Sequence, residues 1–141
     1  MNPVLFSSNS DEWETPCSLF SMLDDHFHFT LDPCSTDLNH KCSNYFTLID
    51  NGLSKSWNGH VVFVNPPYSD ISSWVKKCYY EWKNNNIIIV LLIPARTDTR
   101  YFHDYIYHYA DIYFIKGRLK FSNSKKGAPF PSIVCVYNKR V

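Results

Sequence analysis

Residues 87–93 read Ile-Ile-Ile-Val-Leu-Leu-Ile, an unbroken apolar run that restricts the fold more than any other stretch of the chain. Successive side chains of a strand point to opposite faces, so a strand of this composition must be covered on both. That is the condition of an inner strand in an α/β sheet. A second apolar run, Val61-Val62-Phe63-Val64, lies upstream. Between the two, Ile71, Trp74, Val75, Cys78 and Trp82 keep one face at spacings of three and four, which predicts a helix ended by Asn84-Asn85-Asn86. Strand, helix, strand is the unit of a parallel sheet with right-handed crossovers.

The remaining chain extends this rhythm. Thr15-Pro16 reads as an N-cap followed by proline at the first helical position, with Leu19, Phe20 and Leu23 forming an apolar face as far as His26. Residues 27–31 alternate and predict a strand ending at Asp32-Pro33. Residues 45–49 predict a short strand closing at Asp50-Asn51-Gly52, with Gly52 as a turn residue. Further on, a loop at 94–99, a helix at 100–109 and strands at 111–115 and 132–137 are expected, with 118–121 extended between the last two. The crossover rule then places Asp32, Asp50, Asn65 and Arg96 in one cleft at the sheet's edge. Residues 1–10, polar and rich in Ser and Asn, read as a loosely held arm. Residues 11–141 read as one domain, because 141 residues at 45% hydrophobic content support one core and leave no length for a separate recognition module.

Charge and cysteine usage narrow the classes. A net charge of +1 gives no global sign of a nucleic-acid partner, yet Lys116, Arg118, Lys120, Lys125 and Lys126 fall together with no acid among them. Such a run is either a solvated face or a phosphate-contacting one. The five cysteines are odd in number and form no CxxC pair, and there is neither a signal peptide nor a long apolar segment. The expectation is reduced thiols, a cytoplasmic setting and no membrane association. Cys34, His40 and Cys42 match no common zinc spacing, and no metal is expected; His26 and His28 read as ordinary residues.

At the end of the first apolar run stands Asn65-Pro66-Pro67-Tyr68. Proline fixes its own φ and biases the preceding residue toward extended geometry, so the turn is stiff. The Asn65 side-chain oxygen and the Pro66 carbonyl then offer two acceptors pointing the same way, which suits an exocyclic NH2 group. Accepting both hydrogens draws the nitrogen lone pair out of conjugation and aims it at an electrophile. Tyr68 offers a face on which a planar base can stack. The plainer reading is a proline-rich turn with a surface aromatic.

In order along the chain come Asp11-Glu12-Trp13-Glu14-Thr15-Pro16, Leu31-Asp32-Pro33-Cys34, Asp50-Asn51-Gly52-Leu53 with Trp57, Asn65-Pro66-Pro67-Tyr68, Pro94-Ala95-Arg96-Thr97-Asp98-Thr99 and Ile115-Lys116-Gly117-Arg118-Leu119-Lys120-Phe121. Each is weak alone. Together, over residues 11–137, they resemble the phage-type DNA N6-adenine methyltransferases, a compact Dam-like family that uses S-adenosylmethionine. The resemblance implies a trimmed Rossmann-like methyltransferase fold, with a mostly parallel sheet and an antiparallel C-terminal strand. It implies Asn65, Pro66, Pro67 and Tyr68 as the catalytic turn. On the cofactor side it implies Trp13, Thr15, Pro16, Asp32, Pro33, Cys34 and Asp50. Thr15 and the following helix start would meet the methionine carboxylate, Asp32 the methionine amino group and Asp50 the adenine amino group. DNA contacts fall to Arg96, Thr97, Lys116, Arg118 and Lys120.

Two departures from the family pattern accompany this. Cys34-Ser35-Thr36 stands where glycines are usual, and the interval from Asp32 to Asp50 is too short for the usual helix, strand and helix. The acid that holds the cofactor ribose has no clear counterpart, Asp37 being the nearest. The function implied is methyl transfer to adenine N6 in DNA, in a bacterial host's cytoplasm if the chain is phage-encoded. The alternatives are a catalytically silent DNA-binding or interaction protein derived from such an enzyme, and a methyltransferase for cytosine N4, RNA adenine or protein glutamine.

Overall fold

A computed structural model describes residues 13–124 and 126–141. The expected arm at residues 1–10 and Lys125 lie outside these described residues. Helix α1 (Cys17–Phe27) is followed by strand β1 (Val62–Val64), helix α2 (Ile71–Asn85) and strands β2 (Ile89–Pro94), β3 (Asp111–Phe114) and β4 (Ser132–Tyr137). The strands form a sheet in the order β1-β2-β4-β3. β1 pairs with β2 in parallel; β4 is antiparallel to both β2 and β3. The ladders are therefore mixed where a mostly parallel sheet is expected, while the antiparallel C-terminal strand is present as β4.

β2 organises the interior. All six of its residues are buried. Ile89, Leu91 and Ile93 face a core containing Ile71, Trp74, Val75, Cys78 and Trp82 of α2. Val90 and Leu92 face a second core with Phe63, Phe121, Val134 and Val136, against which Leu19, Phe20 and Leu23 of α1 pack. The alternation of a pleated strand thus divides one apolar run between two helical layers. Each such side chain contributes about 1.5–3 kcal/mol by leaving water.

The helix ends follow from the chain. α1 runs one residue past His26 and stops at His28, which is left-handed (φ 57°) and donates its N–H to the Asp24 carbonyl at 2.8 Å. α2 ends likewise at Asn86, left-handed at φ 51°, its N–H on the Trp82 carbonyl at 2.9 Å. Asn tolerates this conformation because its short polar side chain offsets part of the steric cost.

Three expected elements differ. Because α1 extends through Phe27, the strand foreseen at 27–31 shrinks to single parallel bridges, Leu31 to Val62 and Asp32 to Tyr45. The strand foreseen at 45–49 is likewise one bridging residue, since the next residues close a turn in which Asp50 accepts from the Thr47 N–H at 2.9 Å. The helix foreseen at 100–109 becomes a π-helix over Phe102–Ile106, with Tyr107 N–H on the Phe102 carbonyl at 2.8 Å. Tyr105 of this turn and Tyr109 just after it both pack on Tyr79 of α2. Residues 118–121 belong to no strand.

Candidate active site

The sheet order reverses beside β1: the chain steps from Val62 outward to β2, whereas Leu31, on the other side of β1, leads outward to Tyr45. Loops at the carboxyl ends of strands diverge at such a switch point and leave a crevice. Here it is a cleft of about 730 Å³ lined by Trp13, Thr15, Asp32, Pro33, Cys34, Asn51, Gly52, Leu53, Asn65, Pro67, Asp70 and Trp74 among others. Its size suits a ligand of a few tens of heavy atoms.

Asn65 projects from the end of β1. Its Nδ2 donates to the Trp13 carbonyl and, at 3.0 Å, to Thr15 Oγ1. A main-chain carbonyl can only accept, so the amide nitrogen must face Trp13. Asn65 Oδ1 is left buried without a partner among the described residues. A buried acceptor of this kind carries a desolvation cost of about 1–3 kcal/mol that a donor hydrogen would relieve. The main-chain carbonyl of Asn65 accepts from the Cys34 thiol at 3.2 Å. Burial pushes that thiol's ionisation well above its ordinary value, with the Asp32 charge adding to the shift, so Cys34 is a neutral donor rather than a nucleophile.

Beyond it, Pro67 is extended (φ −62°, ψ 130°), and a short 3-10 turn at Tyr68–Asp70 leads into α2. The Tyr68 ring lies 6.5 Å from Trp13 at an interplanar angle of 24°, and Phe130 meets it edge-on at 5.4 Å. Its hydroxyl is buried without a partner among the described residues, and burial drives its ionisation upward. It therefore stays a neutral donor.

Asp32 is 5% exposed. Its main chain bridges Asn44 and Phe46 at 3.0 Å each, and its carboxylate accepts from the Lys41 N–H at 2.8 Å. Burial outweighs these bonds and raises its pKa to about 6. An anion held at that cost favours a cationic group beside it. Gly52 packs beneath: a Cβ there would sit 2.1 Å from the Pro33 carbonyl oxygen. Close approach, rather than a left-handed turn, is what this glycine supplies.

Several expected site residues make other bonds than expected or stand outside the cleft lining. Thr15 makes no capping bond to α1, whose N-cap is Pro16; its buried hydroxyl serves Asn65 instead. Asp50 is exposed and outside the cleft lining, its carboxylate taken by the Thr47 N–H and hydroxyl, which hold it below the usual carboxylate range. Arg96 and Thr97 are exposed at the end of β2 and do not line the cleft, so the four-residue cluster reduces to Asp32 and Asn65. Lys116, Arg118 and Lys120 are exposed on the segment that carries Phe121 to Trp13 at 5.3 Å. Leu48, Ile49 and Asn51 line the cleft although sequence reasoning passed over them. The signal lay in two aliphatics set at a turn, which the structure leaves exposed.

His40 lies flat on Tyr45 at 3.7 Å, with a ring nitrogen 2.7 Å from the Cys42 carbonyl. Among the described residues no helix is long and apolar enough to cross a membrane.

The sequence model of the family described as "DNA N-6-adenine-methyltransferase (Dam)" matches residues 4–133. The chain is similar to the "DNA N-6-adenine-methyltransferase" of Haemophilus phage HP1 (strain HP1c1), 29% identical over 123 residues, which cover 85% of this chain and 71% of that protein. It is also similar to the protein of the same name from Escherichia phage T1, 32% identical over 112 residues, covering 77% of this chain and 46% of that one.

Proposed function

Given that the chain belongs to the DNA N-6-adenine-methyltransferase (Dam) family, we propose that it transfers a methyl group from S-adenosylmethionine to the N6 amino group of adenine in DNA. The observation that carries this reading is the buried Oδ1 of Asn65, an acceptor fixed at the end of a strand with no donor among the described residues to satisfy it. An adenine N6 hydrogen is such a donor. The Pro66 carbonyl takes the second hydrogen, and the lone pair of the nitrogen then points away from the ring. Tyr68 supplies the stacking face once the base has been flipped from the duplex.

The cleft fits the cofactor. Asp32, buried and with a raised pKa, takes the ammonium group, and Trp13, Leu53, Leu48 and Ile49 offer apolar surface for the adenosine. Pro16 and Pro33 shape the two turns that frame it. When bound, S-adenosylmethionine supplies a methyl group already activated on a sulfonium centre. The residues therefore contribute alignment rather than acid or base strength. Asn65 is neutral and Tyr68 and Cys34 are held neutral, as this requires; the N6 proton becomes acidic only on transfer and leaves to water. The trimmed Rossmann-like assignment is supported by the directions of the segments. Tyr45, Leu31, β1, β2 and β3 run the same way, and β4 alone is reversed.

For DNA, Arg118 and Lys120 contact phosphate, together with Lys116, and Arg96 and Thr97 lie at the neighbouring strand end. These contacts give affinity without base reading. The setting is the bacterial cytoplasm, where such DNA is found. Asn65→Ala tests the reading: methyl transfer to adenine is lost while S-adenosylmethionine still binds in calorimetry, and equal turnover by the variant would sink the assignment.

A further inference from the structure

An asparagine amide has two ends of nearly equal shape and opposite character. Whichever faces the cleft decides whether the site accepts from an amino group or donates to a ring nitrogen. In this chain the choice is made from a distance of about fifty residues in sequence. Asn65 Nδ2 is held by the Trp13 main-chain carbonyl and by Thr15 Oγ1 at 3.0 Å, and Thr15 is 2% exposed. Reversing the amide would set Oδ1 against the Trp13 carbonyl, acceptor on acceptor. The Cys34 thiol holds the main-chain carbonyl of Asn65 from the opposite side at 3.2 Å.

We infer that the Trp13 carbonyl and the Thr15 hydroxyl form a positioning device: the carbonyl, which can only accept, sets the amino-accepting orientation of Asn65, and Thr15, taking the second amide hydrogen, holds the side chain in it. This rests on the reading of Asn65 as the amino-group acceptor. Thr15 acts through Asn65, so it is a positioning residue; a contact to the cofactor carboxylate alone would leave Asn65 unaffected by its loss.

The test uses the full chain with Thr15→Val, which removes the hydroxyl at nearly constant shape, and Thr15→Ser, which retains it. The first readout needs no cofactor or DNA: hydrogen exchange of the Asn65 side-chain amide, assigned by its disappearance in Asn65→Ala. One of its two hydrogens exchanges about tenfold faster in Thr15→Val and returns to within about twofold of the original in Thr15→Ser. The second is single-turnover methyl transfer alongside calorimetry with S-adenosylmethionine. Thr15→Val slows transfer by about tenfold with affinity changed by less than about twofold, and Thr15→Ser recovers the rate. Should the valine variant unfold, Thr15→Ala carries the same expectation. Unchanged amide exchange in the variant overturns the inference, as does a loss of rate matched by an equal loss of affinity. If the unaltered chain methylates no adenine, the functional reading fails, and the exchange measurement still decides whether Thr15 holds the amide.

Discussion

The two walls of the cleft are built differently. On one side, Asn65 follows directly from β1, whose three residues are all buried and laddered to β2, and α2 begins a few residues on. On the other, residues 31–53 hold their shape through isolated bridges, a few main-chain bonds from Asp32 and Ser35 to Asn44 and Phe46, the Lys41 N–H on Asp32, the Asp50 turn and the contact of Gly52 with Pro33. A regular ladder distributes the cost of a lost interaction over many bonds; a wall of few, irregular bonds does so less. The amino-binding wall should therefore be altered only at its own side chains, and the cofactor wall by disturbances at several of its supports.

Breaking the first wall gives the largest effect. Asn65→Ala should lower the single-turnover rate by at least about 10²-fold, the scale for removing one preorganised group from a reacting centre. Affinity for S-adenosylmethionine should stay within about twofold, because the ladder beneath is untouched. Next is Gly52→Ala, whose methyl group meets main-chain oxygen that has no free space to yield. Overpacking of this kind costs about 1–3 kcal/mol. It should appear in thermal unfolding and as weaker cofactor binding, with the transfer rate at saturating cofactor nearly unchanged. A rate that falls as far as the affinity would mean that the walls are coupled.

The third prediction concerns pH. Asp32 has a pKa of about 6 in the folded chain against an ordinary 3.8. The native state therefore holds this proton more tightly than the unfolded chain. Its contribution to stability is full below about 3.8 and is lost as pH rises through about 6. A cationic ligand reverses the balance, since it favours the ionised carboxylate. Affinity for S-adenosylmethionine should rise by about tenfold between pH 5 and 7, and Asp32→Asn should flatten that profile. The smallest effect belongs to the basic segment. Arg118→Ala and Lys120→Ala should each reduce the slope of DNA affinity against salt by about one, lowering affinity equally for all sequences.

The difference between the walls also decided what was legible. α2, β2 and β4 could be read because long periodic or apolar runs announce their own faces, and Asn65 followed as the residue after β1. α1 was legible at its apolar face, but its extension through Phe27 and the left-handed stop at His28 took up the start of the strand expected behind it. Asp32 and Asp50 look alike as acids at strand ends. Only the backbone shows that Thr47 lies within reach of one and that the other is buried. Gly52 reads as a turn residue because φ is the usual reason for glycine, whereas here the reason is Pro33, far off in the chain. Thr15 reads as a cap because its actual partner, Asn65, is more remote still. Local pattern locates elements; contacts across the chain assign the work of individual side chains.

The central claim is that Asn65 presents an acceptor to an adenine amino group. Mass spectrometry of nucleosides from the DNA of cells expressing the chain, beside cells expressing Asn65→Ala, tests it most directly. The account predicts N6-methyladenine above the background of a host lacking adenine methylation in the first and none above it in the second. No N6-methyladenine from the unaltered chain, or equal amounts from both, would contradict it.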